Sequence, residues 1–268
     1  MSKDYSRYEF IKIERNDNIL TLTLNRPELY NSIHHELHEE LSDIFLDIAK
    51  DDETDVVVLT GAGKAFCGGG DLKAMKQHSD AHGGPGHYLS HVSAKRLVYS
   101  MLDLEKPIIA KVNGAAMGLG ATLALFCDII YMADHAVIGD PHVKAGVVSG
   151  DGGAVIWPQL IGYARAKEYL MTGDAIKAPE AHRMGLVNHI VPADQLDAAV
   201  QAMAVKLANG ARDAIQYSKV AVNIGLRQLA HSILDASMAY EIVTLRSPTH
   251  KEALDAFSEG RQPKFRGL

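Results

Sequence analysis

The chain has 268 residues, 47% of them hydrophobic and 22% charged, and 27 basic against 33 acidic side chains give a net charge of −6. This length suits one large domain, or a domain with an appendage, and the acidic balance supplies neither a basic stripe for nucleic acid nor a Lys/Arg block for an anionic membrane. MSKDYSRYEF lacks the apolar core of a secretory signal, no apolar run reaches the ~20 residues of a membrane helix, and two cysteines without metal-ligand spacing fit a reducing compartment, so a cytoplasmic protein without nucleic-acid or membrane partners is expected.

In chain order, YEFIKIE and NILTLTL alternate apolar with polar residues on either side of Asn16-Asp17-Asn18, which predicts a hairpin of half-buried strands. Beyond Ser32, Leu37, Leu41, Ile44, Phe45 and Ile48 recur at helical spacing. DVVVLTG reads as a buried strand ending at Gly61, GAGKAFCGGGDL as a glycine-rich turn, and a helical stretch follows Leu72. Residues 78–91 are rich in His and Gly and read as loop. KPIIAKVNG is a third buried strand, GAAMGLG a second glycine turn, and ATLALFCD an apolar helix. IIYMAD and AVIG read as short strands, and a helix follows from Trp157-Pro158. From Ala193 the pattern is helical almost throughout, with Leu196, Val200, Met203 and Leu207 in phase. Residues 1–192 therefore read as a mixed α/β core and 193–268 as a helical C-terminal region.

Twice a buried strand runs into a glycine-rich turn and then a possible helix. Glycine lets backbone N–H groups approach a ligand closely, a helix N-terminus adds partial positive charge, and two such amides aimed at one point make an oxyanion hole. By themselves the glycines read first as tight turns between packed elements. Neither turn carries G-x-G-x-x-G or the phosphate-loop pattern.

NRPELYNSI, GAGKAFCGGGDL, PIIAKVNGAAMGLG, CDIIYMAD and the tail FSEGRQPKF, in this order along nearly the whole chain, resemble the crotonase superfamily, the enoyl-CoA hydratase/isomerase family. The resemblance implies a spiral of β-β-α repeats with a helical C-terminal trimerisation region, and a homotrimer or homohexamer. It implies chemistry on a carbonyl, usually a CoA thioester, so that CoA belongs to the substrate and no separate cofactor is required. By motif matching, the oxyanion amides fall on Gly70 and Leu119. Arg26, Cys67, Gly68, Asp71, Leu72, Gly118 and Thr122 fall at substrate-binding positions.

The same matching places the two hydratase glutamates at Thr122 and at His142, so neither carboxylate is present. An imidazole with its ordinary pKa of ~6.5 can exchange a proton near neutrality. His142 is read as the acid/base, with Asp151, nine residues on, either holding the other ring nitrogen or capping the next helix. The H-x8-D spacing, with Glu241 on a C-terminal helix, also resembles the β-diketone hydrolase branch typified by 6-oxocamphor hydrolase, which cleaves C–C bonds without CoA. The second active-site histidine of that branch falls at Leu119 and is missing. A non-catalytic binding protein that kept the fold is the third reading. His78, His82, His87 and His91 form two i,i+4 pairs, but without cysteine they read as a polar lid, and no metal site is expected. Lys64, Lys73 and Lys264 join Arg26 as candidates for the CoA phosphates.

Overall fold

The computed structural model describes residues 3–81 and 91–268. Strands β1 (Ile11–Asn16) and β2 (Ile19–Leu24) form the expected antiparallel hairpin, with Ile11 opposite Leu24 and Asn16 opposite Ile19. Asp17 turns the corner with φ of 50°, a left-handed conformation that a short polar side chain tolerates. Helix α1 (His35–Ala49) buries Leu37, Leu41, Ile44, Phe45 and Ile48, the stripe that the helical spacing predicts.

From there the chain repeats a β-β-α unit. Strands β3 (Val56–Gly61) and β4 (Ala65–Cys67) precede helices α2 (Leu72–Ala81) and α3 (His91–Asp103). Strands β5 (Ile108–Val112) and β6 (Ala115–Met117) precede α4 (Leu119–Leu125). Strands β7 (Ile129–Ala133) and β8 (Val137–Gly139) precede α5 (Gly153–Thr172). A closing segment holds β9 (Ile176–Lys177), α6 (Ala178–Arg183) and β10 (His189–Val191). The first strand of each unit joins one sheet, in the order β1-β2-β3-β5-β7-β10, and the second joins another, β4-β6-β8-β9. The units stack in parallel, so β3 and β5 are covered on both faces and are mainly apolar rather than alternating, Thr60 and Lys111 being their polar residues.

Helices α7 (Leu196–Ala208), α8 (Arg212–Leu245) and α9 (Pro248–Glu259) complete the chain. Helix α8 crosses α3 and α5 of its own chain, and α9 lies against α2 and a short 3-10 helix, Pro141–Ala145. A buried lysine fastens α8: Lys219 Nζ lies 2.8 Å from Asp128 and donates to the Lys106 carbonyl at 2.9 Å. Its charge meets a carboxylate that burial would otherwise leave unpaired.

Three sequence expectations are corrected. Both glycine-rich turns contain a three-residue strand, β4 and β6, too short to show a period of two. Residues 78–91 are not all loop, because α2 runs to Ala81 and α3 begins at His91; the expected lid otherwise lies outside the described residues, as do His82, His87 and the His91 side chain. Helix α5 begins at Gly153 rather than at Trp157-Pro158, with Pro158 inside it and a break at Gly162, whose φ is 77°.

The spacing of the two glycine turns depends on the contact between β4 and α4. A Cβ on Gly120 would sit 2.6 Å from both Cβ and O of Cys67. Gly120→Ala is therefore expected to destabilise the fold by about 1–3 kcal/mol, read by urea denaturation. Unchanged stability would mean that β4 and α4 separate freely.

Candidate active site

The two glycine turns meet. Gly69 and Gly118 hold left-handed φ values of 88° and 54°. A Cβ on Gly69 would lie 2.7 Å from the Met117 carbonyl and 3.6 Å from Gly118 Cα. No larger residue fits where the turns touch, and each turn carries one free amide past the contact. Around Gly70, the N–H groups of Gly68 and Asp71 are taken by the carbonyls of Tyr30 and Ile33, whereas Gly70 N–H meets no backbone carbonyl among the described residues. Leu119 is the first residue of α4, so its N–H has no partner within the helix. Gly70 and Leu119 both line one cavity of about 560 Å³.

His142 stands over this point, with its ring Cε1 3.5 Å from where a Cβ of Gly118 would lie. It sits in the Pro141–Ala145 3-10 helix, whose cap is Asp140. Asp140 is fully buried and lies 2.5 Å from His142 Nδ1, while its other oxygen accepts from the Ser149 hydroxyl. The second ring nitrogen, Nε2, faces Asp151 Oδ2 at 3.5 Å. Glu241, from α8, completes the group, and the ligating atoms of His142, Asp151 and Glu241 all lie within 4.8 Å of one another. Asp151 Oδ1 and Glu241 Oε2 are buried with no partner in hydrogen-bonding geometry among the described residues.

The electrostatics of this group follow from its burial. Desolvation pushes Glu241 up to about 8, and the negative charge of Asp151 adds to the rise. Asp151 is itself raised, by burial first and by Asp140 next, with His142 opposing. Burial works against charge on the His142 ring, but the carboxylates of Asp140 and Asp151 outweigh it and hold the ring protonated well above its ordinary range. Asp140, although desolvated, is held low by the imidazolium and the bonds it accepts. Among these groups the Nε2 side of the ring and Glu241 both favour holding a proton at neutral pH.

Of the residues expected from sequence, Gly68, Leu72 and Gly118 line the cavity with Gly70 and Leu119, as do His142, Asp151 and Glu241. Arg26, Cys67, Asp71 and Thr122 do not. Arg26 and Asp71 pair with each other at 3.2 Å, and Asp71 also accepts from the Ala74 N–H at 3.1 Å, anchoring the start of α2. Cys67 is fully buried, and burial pushes its thiol up to about 12, which removes it as a nucleophile. Thr122 is buried behind Gly152, its Cγ2 2.8 Å from where a Cβ there would stand. Lys73 belongs to a separate depression with Arg26, His34 and His35.

The role foreseen for Asp151 at the orienting nitrogen belongs instead to Asp140, and Asp151 lies on the cavity side of the ring. The cap position of α5 is Gly152, one residue beyond Asp151, while the Asp151 carboxylate meets the N–H of Gly153 at the start of that helix. Asp140 and Ser149 were missed. The available signal was the carboxylate of GDPH two residues before the histidine, where Pro141 starts a 3-10 turn that brings the two side chains together.

A sequence profile of the enoyl-CoA hydratase/isomerase family matches residues 14–267. The chain is 33% identical over 255 residues to a short-chain-enoyl-CoA hydratase of Clostridium acetobutylicum, covering 93% of this chain and 95% of that one. It is 34% identical over 263 residues to the 1,2-epoxyphenylacetyl-CoA isomerase of Escherichia coli K12, covering 97% and 99%. The crystal structure of an enoyl-CoA hydratase/isomerase from Mycobacterium paratuberculosis superposes with a TM-score of 0.86 at 32% identity, covering 94% of this chain and 99% of that one. The spiral of β-β-α units, the helical C-terminal region and these likenesses agree: the chain belongs to the enoyl-CoA hydratase/isomerase family, within the crotonase superfamily.

Proposed function

We propose that the protein adds water to an α,β-unsaturated acyl-CoA thioester, using the His142–Asp151–Glu241 group in place of the glutamates lost at positions 122 and 142. The observation that carries this reading is the position of that group. Three proton-exchanging side chains stand within 4.8 Å of one another, in the same cavity as the free amides of Gly70 and Leu119. Two carboxyl groups in one buried site, with the imidazole charge opposing the rise of both, can divide the roles of acid and base between them.

In this reading the thioester oxygen accepts from the N–H groups of Gly70 and Leu119. Asp151, beside the protonated His142 ring, takes a proton from water as the water oxygen bonds to the β-carbon. The double-bond electrons move onto the thioester oxygen, where fixed dipoles hold the enolate. Glu241, carrying a proton at neutral pH, delivers it to the α-carbon. One water enters, one C–O and one C–H bond form, and no redox partner is needed. Asp140 and Ser149 act through the ring, holding His142 in one orientation. The exposed apolar residues of α8, among them Tyr217, Val222, Tyr240 and Val243, would be covered in the trimer or hexamer that the family resemblance implies.

The direct assay is loss of the conjugated enoyl thioester absorbance with crotonyl-CoA. Asp151→Asn and Glu241→Gln are each expected to lower kcat by roughly 10²–10⁴-fold. Thiol release from saturated or β-keto thioesters without any hydration would instead make the protein a hydrolase or a C–C bond-cleaving enzyme. In the wild type, kcat/KM should fall as pH rises through about 8, where Glu241 loses its proton; a profile still rising there would contradict the assignment.

Stability should follow the same group. Because the folded state holds the Glu241 proton up to about 8 while the unfolded chain releases it near 4.5, the folded state binds more protons between those values. Raising pH through this window therefore lowers stability. Glu241→Gln should flatten the decline in melting temperature between these pH limits, and an unchanged decline would place the titration elsewhere.

A further inference from the structure

His250 lines the same cavity but has no part in the proton group. It lies on α9, is 3% exposed, and its Nδ1 is 2.8 Å from the carbonyl of Ala145, at the end of the 3-10 helix that bears His142. A carbonyl only accepts, so Nδ1 carries the hydrogen, and burial favours the neutral ring. Nε2 is then a bare lone pair. It makes no hydrogen bond among the described residues, yet it is not one of the buried polar atoms sealed from solvent. The cavity that it lines is largely apolar, with Val147, Ile242, Leu245 and Leu254 among its lining. An acceptor open to the cavity takes its hydrogen bond from water, and a ligand that displaces that water must bring a donor or lose the bond.

We propose that His250 is a ligand-binding residue whose Nε2 accepts a hydrogen bond from an N–H or O–H of the bound acyl thioester. The inference rests on the reading of the cavity as an acyl-CoA site. The donor has two possible sources: an amide N–H of the pantetheine arm, or a hydroxyl on the acyl chain.

Two substitutions separate the ring nitrogens. In His250→Asn the shorter carboxamide can still donate to Ala145 in the place of Nδ1, while the Nε2 acceptor is removed. In His250→Gln the longer carboxamide reaches the Nε2 position. Binding of butyryl-CoA and of 3-hydroxybutyryl-CoA is measured by calorimetry, with melting temperatures confirming that both variants fold. The expected result is about tenfold weaker binding in His250→Asn, with affinity in His250→Gln recovered to within about threefold of wild type. Weakening for both ligands identifies the pantetheine amide as donor, and weakening for the hydroxyacyl ligand alone identifies the acyl hydroxyl. If the wild type binds and His250→Asn binds both ligands as tightly, this inference falls while the proposed function stands. If the wild type binds neither ligand, both fall.

Discussion

The bond between Asp140 and His142 is the interaction on which the site depends. A fully buried aspartate is tolerable only because an imidazolium and a serine hydroxyl meet it. That pairing keeps charge on the ring, and the ring in turn moderates the two carboxyl groups on its far side. Remove Asp140 and the ring loses the partner that fixes its orientation. Remove the ring and three carboxyl groups share one desolvated space. The pairing of charges, more than any single residue, sets which site carries a proton at neutral pH.

The fold prepares the opposite side of the cavity. Each β-β-α unit sends its second strand into the smaller sheet, so β4 and β6 lie side by side and their following turns touch. Glycine is required there because the backbones approach too closely for a Cβ. Framework bonds hold the first turn. Asn31, fully buried, donates from Nδ2 to the carbonyls of Ala62 and Ala65 at 2.9 Å, and Arg26 with Asp71 braces the entry to α2. Helices α8 and α9 then close the cavity from the same chain, bringing Glu241 and His250 to a site otherwise built by the spiral.

Much of this was legible in the sequence. Long periodic segments such as the stripe of α1 announced themselves, as did the apolar runs of β3 and β5. The ordered motifs gave the family, and through it Gly70, Leu119 and His142. What stayed hidden was of two kinds. Three-residue strands are shorter than the pattern needed to detect them. Side-chain pairings across a tight turn depend on φ and ψ rather than on spacing: Asp151 at nine residues from His142 looked like the natural partner, whereas the left-handed turn at Gly146 and the 3-10 helix put Asp140 at Nδ1. Arg26 and Asp71 carried charge at motif positions, but the fold spends that charge on each other.

In the proposed mechanism a protonated His142 ring and a protonated Glu241 stand on either side of Asp151 at neutral pH. Nitrogen-15 NMR of the His142 ring, followed together with the infrared carbonyl band of a protonated carboxyl group, reads both protons directly. The expected result is an imidazolium with both nitrogens protonated at pH 7, and a carboxylic-acid band that vanishes in Glu241→Gln. A neutral ring at pH 7 with both carboxyl groups ionised would contradict it.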